Sequence, residues 1–296
     1  MSEQYIVSGA NGFLGKKVVS LLAGQKKRVI GLSGNVRVEE RDNVSSVSND
    51  AFLADPEVFM SDPTVFVHLA FARANRGARE IAGSLDFTKD ILGSVAASGN
   101  LKKFIYISSQ GVYGKGQEIR VVENEAEPES PYSMAKYAAE KMVETALQDK
   151  DYCILRLDNV IQSQNLVRAL SGSAISRGRI DITGGKQVFS YIDGDDAAEA
   201  IAACACGGKT KERVYNVGPN RMRVSLLEVA EIVKQVAAKY NNSVEVVCTP
   251  DETTLWAGMD SEAFCVAYHW KPKYDIFHMV ERVYREVMEA QTINMQ

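Results

Sequence analysis

Short runs of consecutive apolar residues alternate along this chain with longer stretches whose apolar positions recur every three or four residues. The runs YIVSGA (5–10), RVIGLS (28–33), TVFVHLAF (64–71), KFIYISS (103–109) and YCILRL (152–157) predict strands buried on both faces. FLGKKVVSLLAG (13–24) has the helical period, with Phe13, Leu14, Val18, Leu21 and Leu22 on one side and Gly24 as its stop. A further helix is predicted around 84–98. Ser130 followed by Pro131 reads as an N-cap and a first helical position, opening a helix that runs to about Gln148. This rhythm predicts an α/β fold: a doubly wound parallel sheet with right-handed crossovers and helices on both faces.

After about residue 160 the rhythm loosens. RGRIDITGGKQ (177–187) reads as a hairpin or loop, DDAAEAIAACA (195–205) as a helix and RVYNVG (213–218) as a strand. Ser225 with Glu228 forms a capping box ahead of an amphipathic helix through Leu226, Val229, Ile232, Val233 and Val236. The expected organisation is a large unit, 1–160, to which 195–218 returns, and a smaller one built from 161–194 and 219–296.

Composition narrows the functions. The chain is 46% hydrophobic and 24% charged, ordinary for a soluble globular protein, and its net charge of -4 gives no reason to expect nucleic acid or an anionic membrane as partner. No apolar run approaches the roughly 18 residues that suggest a membrane span, and the opening MSEQYIVSGANG does not read as a signal peptide. Cys153, Cys204, Cys206, Cys248 and Cys265 are scattered without C-x-x-C spacing, which fits reduced thiols in the cytoplasm. Cys204 and Cys206, in an apolar helix, read as core. The three histidines are far apart, so no metal site is expected.

Candidate chemistry clusters at strand ends. GANGFLG places Gly9, Gly12 and Gly15 between the first strand and the first helix, where they permit a tight turn and a close backbone approach to a pyrophosphate. Asn11, Phe13 and Leu14 share that turn. A ribose-binding carboxylate is expected at the end of the second strand, but Ser33 stands there, with Arg37 following. Loss of the carboxylate and gain of a guanidinium favour NADP over NAD. Tyr132 and Lys136 are spaced i,i+4 and share one helix face, where an ammonium would favour the phenolate and lower the tyrosine pKa. Ser108 and Ser109 end a strand on the edge where open α/β sheets place ligands. ARANRGAR (72–79) carries Arg73, Arg76 and Arg79, which could meet a substrate phosphate or simply be solvated.

In order, GANGFLG, VHLAF, YISSQGVYG, YSMAK, LRLDNV, DGDDAAEAI and VYNVG make the chain resemble the extended short-chain dehydrogenases/reductases, in the nucleotide-sugar epimerase/dehydratase branch. The resemblance implies a Rossmann-type NAD(P)-binding domain with a smaller C-terminal substrate domain, a homodimer paired through two helices, and a small-molecule substrate, a sugar nucleotide. It implies Tyr132 as acid/base, Ser109 as its hydrogen-bonding partner at the reacting oxygen, and Lys136 as the residue that holds the nicotinamide ribose. Leu69, Ala70 and Phe71 match the strand end beside the cofactor, and Asn159 matches an asparagine that touches the sugar nucleotide. Gln110 and Gly111 replace the Asp-Glu pair of the dehydratases, which speaks against 4,6-dehydration and leaves Gln110 as a substrate contact. NVIQSQ, Val188 and Leu85 also depart from the common pattern. Ser33 and the altered NVIQSQ segment favour a ketoreductase that exchanges NAD(P). The alternatives are a 4-epimerase with retained NAD and, in another class, a non-catalytic NAD(P)-sensing regulator, against which the complete Ser109, Tyr132 and Lys136 set argues. An RNA-binding relative fits poorly with the acidic balance.

Overall fold

The structure is a computed structural model and describes residues 3–34, 36–116, 118–251 and 258–294. Its first part runs β1 (Gln4–Ser8), α1 (Phe13–Gly24), β2 (Arg28–Ser33), β3 (Val44–Ser48), the short helices α2 (Asn49–Ala54) and α3 (Pro56–Phe59), β4 (Thr64–His68), α4 (Ala78–Ala96), β5 (Leu101–Ser109), α5 (Pro131–Ala146) and β6 (Tyr152–Leu157). It continues through β7 (Asn159–Val160), α6 (Asn165–Arg177), β8 (Arg179–Thr183), β9 (Val188–Phe189), β10 (Tyr191–Ile192), α7 (Gly194–Cys206), β11 (Val214–Val217), β12 (Val224–Ser225), α8 (Leu226–Lys239), β13 (Glu245–Thr249), α9 (Glu262–Tyr268) and α10 (Ile276–Asn294).

Seven parallel strands form one sheet in the order β11-β6-β5-β4-β1-β2-β3, a Rossmann-type α/β fold. The two-residue period of the central strands divides the core between the faces. Tyr5, Val7, Val65, Val67, Ile105 and Ile107 pack toward α1 and α7. Their neighbours Ile6, Phe66, Phe104 and Tyr106 pack toward α4 and α5. Both sets are buried, which is why these strands read as unbroken apolar runs.

A third apolar cluster lies outside the main sheet. Val167, Leu170, Ile180, Val229, Val233, Met279 and Val283 join α6, β8, α8 and α10. Here the structure corrects the reading of 177–187: Arg179–Thr183 is strand β8, paired in parallel with β13 rather than folded as a hairpin or loop. Ile180 and Ile182 point inward while Arg179, Asp181 and Thr183 are exposed, an alternation too short to stand out beside the glycines that follow. Helix α4 also starts earlier than expected, at Ala78, with Gly77 as its N-cap. Cys204 is buried, but Cys206 is exposed at the end of α7, contrary to its reading as core.

Candidate functional site

The carboxyl ends of β1, β2, β4, β5 and β6 converge on one edge of the sheet. At the end of β1, Gly9 has φ +66°, and a Cβ there would lie 2.8 Å from Ala70 N. A Cβ on Gly15 would fall 2.1 Å from Gly9 O, so only glycine lets α1 pack this closely on its own entry turn. Gly12 caps α1 without any side-chain bond, and the amides of Phe13, Leu14 and Gly15 precede the first ladder bond, from Lys16 N to Gly12 O at 3.0 Å. These amides and the positive end of the helix suit a pyrophosphate, so the turn fits a dinucleotide. Asn11 is tied into the neighbouring loop, its Nδ2 donating to Val36 O at 3.2 Å.

Ser33 is buried at the end of β2 and Arg37 is exposed. They border a cavity of about 370 Å³ shared with Ser46, Ser48 and Phe59. The two further serines come from β3, which the sequence pattern had not marked. Ser46 Oγ accepts Val38 N–H at 2.9 Å, and Ser48 caps α2 through Ala51 N–H at 3.1 Å.

Across the edge, Ser109 Oγ accepts Gly111 N–H at 3.2 Å and opens a single turn of 3-10 helix, Gln110–Tyr113. A Cβ on Gly111 would sit 3.4 Å from Ser133 Cβ, so this turn lies against the start of α5. There Ser130 and Ser133 form a reciprocal capping box with Pro131 at the helix entrance, which places Tyr132 in the first turn. The Ser109 hydroxyl lies on the same side as the Tyr132 phenol, close enough to oppose the effect of burial on it. Lys136 follows one turn later, with Nζ 6.0 Å from the Tyr132 ring centroid. Leu69, Ala70 and Phe71 lie half-buried just after β4, and the Phe71 ring meets Tyr132 edge-on at 6.0 Å.

Two expectations need correction. Tyr132 is not lowered in pKa: burial raises it to about 12, with the Ser109 hydroxyl opposing. Lys136 is itself wholly buried; desolvation brings its pKa down to about 7 and nearby Glu140 works the other way. Its ammonium donates to Ile107 O at 2.7 Å. Ser108, expected at the cofactor, instead gives its hydroxyl to Glu140 Oε1 at 2.5 Å on the α5 side of the sheet. Alternation along β5 explains this, since Ser108 follows Phe104 and Tyr106 onto that face.

Several polar residues at this edge escaped the sequence reading. Glu140, fully buried, takes Arg156 Nη2 at 2.8 Å and Nε at 3.1 Å, and the guanidinium lies 4.8 Å from the Tyr113 ring centroid. The i,i+4 spacing from Lys136 to Glu140 was a readable signal. Asp158, just past β6, is 4% exposed, and burial raises its pKa to about 7 against hydrogen bonds from Ser190 and Asn159. His68 at the end of β4 shares Nδ1 with Ser8 Oγ at 2.7 Å and Nε2 with Thr88 Oγ1 at 3.0 Å. Of the expected substrate contacts, Gln110 donates to Asp158 at 2.7 Å and Asn159 Nδ2 donates to Ser190 O at 3.1 Å. Arg73, Arg76 and Arg79 are exposed in the segment before α4 and at its start. Among the described residues no cluster of potential metal ligands occurs, and no helix is long and apolar enough to cross a membrane.

The family model for the NAD dependent epimerase/dehydratase family matches residues 5–218. Among curated proteins, the dTDP-D-glucose 4,6-dehydratase of Bos taurus is 28% identical over 164 residues, 53% of this chain and 46% of that protein. A trifunctional UDP-glucose 4,6-dehydratase/UDP-4-keto-6-deoxy-D-glucose 3,5-epimerase/UDP-4-keto-L-rhamnose-reductase of Arabidopsis thaliana is 28% identical over 193 residues, 59% of this chain and 28% of that protein. The matched region thus spans less than half the length of either relative. Among solved structures, UDP-glucose 4-epimerase of Thermotoga maritima with UDP-glucose superposes with a TM-score of 0.77 at 22% identity, covering 97% of this chain and 99% of that one. UDP-glucuronic acid 4-epimerase of Bacillus cereus in complex with NAD gives a TM-score of 0.78 at 19% identity over the same shares of the two chains. At these identities the superpositions speak for the fold.

Proposed function

The chain belongs to the NAD-dependent epimerase/dehydratase family, and we propose that it is an NAD(P)-dependent oxidoreductase acting at a carbinol or ketone carbon of a nucleotide sugar. The observation that carries this reading is the meeting of Ser109 and Tyr132 at the carboxyl edge of the sheet, with Lys136 one helical turn behind them. The nicotinamide, when bound, supplies or accepts the hydride. Tyr132 moves the proton at the substrate oxygen: its phenolate takes it in oxidation, and its phenol returns it in reduction. Ser109 hydrogen-bonds the same oxygen and orients it toward the phenol. Lys136, held by Ile107 O, keeps donors free that would hold the nicotinamide ribose, and a ribose hydroxyl there would restore solvation to the ammonium.

Net ketone reduction with an exchanging cofactor is the reaction this site supports best. The hydroxyls of Ser33, Ser46 and Ser48 with the Arg37 guanidinium around one cavity suit the added phosphate of NADP, where a carboxylate would oppose it. The alternative is the 4-epimerase with retained NAD, with which the glycine turn is equally compatible because it suits the pyrophosphate common to both dinucleotides. Dehydration is disfavoured because no carboxylate follows Ser109, and the nearby Asp158 has both oxygens occupied by protein donors.

The test is the dinucleotide released when freshly purified protein is denatured. Near-stoichiometric NAD supports the epimerase. Little released dinucleotide, with NADPH bound more tightly than NADH, supports the ketoreductase. Failure to bind either form removes the oxidoreductase reading. A homodimer in the cytoplasm, as the resemblance and composition suggest, completes the proposal.

A further inference from the structure

Three donors converge on Asp158 from three places in the fold. Gln110 Nε2, from the turn after β5, reaches Oδ1 at 2.7 Å, and the Asn159 amide reaches the same oxygen at 2.8 Å. The Ser190 hydroxyl, from between β9 and β10, bonds Oδ2. A Cβ on Gly218 would stand 2.8 Å from Asp158 Cβ, so the backbone beyond β11 closes the remaining side. Asp158 Oδ1 already accepts the Asn159 amide N–H, so the Gln110 amide meets that oxygen through Nε2 and not through its own carbonyl. With Nε2 turned inward, Gln110 Oε1 is turned away, and among the described residues no donor meets it. Gln110 stays half-exposed on the ligand-binding edge, directly after Ser109.

We propose that Asp158 is a positioning residue that turns the carbonyl oxygen of Gln110 toward the substrate, so that the site selects a sugar carrying a hydroxyl or amide N–H on the carbon next to the reacting one. The proposal rests on the hydride-transfer reading given above. Ser109 holds the reacting oxygen in that reading, and Gln110 is its chain neighbour, about 3.8 Å away between Cα atoms. Polar side chains on consecutive residues at this edge can therefore address neighbouring positions of one sugar ring. Ser190 ties the same carboxylate to the smaller apolar unit, so substrate contacts there and at Gln110 are held in one register.

Wild type, Asp158→Ala, Asp158→Asn and Gln110→Leu, each loaded with dinucleotide, separate this role from its competitors. The first readout needs no substrate: the side-chain amide resonances of Gln110, identified by their loss in Gln110→Leu. They are expected to move strongly in Asp158→Ala and to stay close to native in Asp158→Asn. In the latter, the asparagine carbonyl replaces Oδ1 and its amide donates to Ser190. The second readout is turnover of three probes: UDP-glucose and UDP-glucuronic acid with oxidised dinucleotide, and UDP-4-keto-6-deoxy-D-glucose with NADPH. Asp158→Ala and Gln110→Leu should each lower kcat/KM by roughly 10- to 100-fold, their combination should be no worse than either, and Asp158→Asn should recover to within about threefold of wild type.

Equal damage from Asn and Ala overturns the proposal and points to proton transfer by Asp158 itself. Amide resonances indifferent to Asp158→Ala overturn it as well. If wild type turns over none of the three probes, the nucleotide-sugar reading falls, and the amide spectrum alone decides the Asp158–Gln110 assignment. Should Asp158→Ala fail to fold, Asp158→Ser takes its place, with dinucleotide affinity as the folding control.

Discussion

Lys136 Nζ lies 4.1 Å from the centroid of the Phe71 ring, joining the helix that carries Tyr132 to the strand end beside the glycine turn. A buried ammonium loses hydration, and the ring face together with Ile107 O returns only part of it. Phe71→Leu should therefore push the Lys136 pKa below its present value of about 7. On the proposed role of Lys136, dinucleotide affinity at pH 8 should weaken several-fold, and the pH above which it fades should move lower. Titrating dinucleotide between pH 6 and 9 checks both. An unchanged profile would detach Phe71 from the charge state of Lys136.

Tyr132→Phe removes the hydroxyl proposed as acid/base and leaves the ring that meets Phe71 edge-on. Turnover should drop by about 10²- to 10⁴-fold, while dinucleotide binding stays within about twofold. Single-turnover absorbance of the nicotinamide separates the two effects. Retention of most activity would eliminate the proposed mechanism.

The buried His68 imidazole is held neutral by desolvation, its folded-state pKa lowered to about 3 from the ordinary 6.5. Between those values the unfolded chain binds a proton that the folded one refuses, so stability is lost as pH falls from about 6.5 toward 3. His68→Gln should cost stability at pH 7 through Ser8 and Thr88, yet flatten the slope in acid. Denaturant titrations at several pH values between 4 and 7 measure that slope. An equal slope in the variant would place the acid sensitivity elsewhere.

Glu140→Gln leaves the Arg156 guanidinium buried without its carboxylate, and the loss should be about 3–5 kcal/mol. Exchanging both partners for apolar residues of similar volume should cost less than the sum of the two single changes. A thermal-melting cycle reads the coupling. Strict additivity would show that the pair contributes nothing beyond its separate burials.

Much of the fold was legible from local chemistry. Strands buried on both faces must be continuously apolar, so RVIGLS and YCILRL announced β2 and β6 with their full bounds, and the periodic FLGKKVVSLLAG announced α1. Ser130 with Pro131, and Ser225 with Glu228, marked helix starts because a cap is satisfied within four residues. The strand β8 was lost for the opposite reason. Its partner β13 lies more than sixty residues away, and with only two inward isoleucines its pattern is too short to signal a sheet.

The sequence alone determined the residue types of the candidate site and their order: the glycine turn, Ser109, and the Tyr132–Lys136 spacing along one helix face. Tertiary structure decided the charge behaviour of those groups. The i,i+4 spacing argued for a lysine lowering a tyrosine pKa, but burial raised the tyrosine and lowered the lysine instead. It also decided that Ser108 bonds Glu140, and that Gln110, Asp158 and Ser190 form one cluster from three separate segments. Local spacing records which side chains share a helix face or a strand face. Desolvation and long-range hydrogen bonds depend on what the rest of the chain packs against that face, and only the folded molecule contains that information.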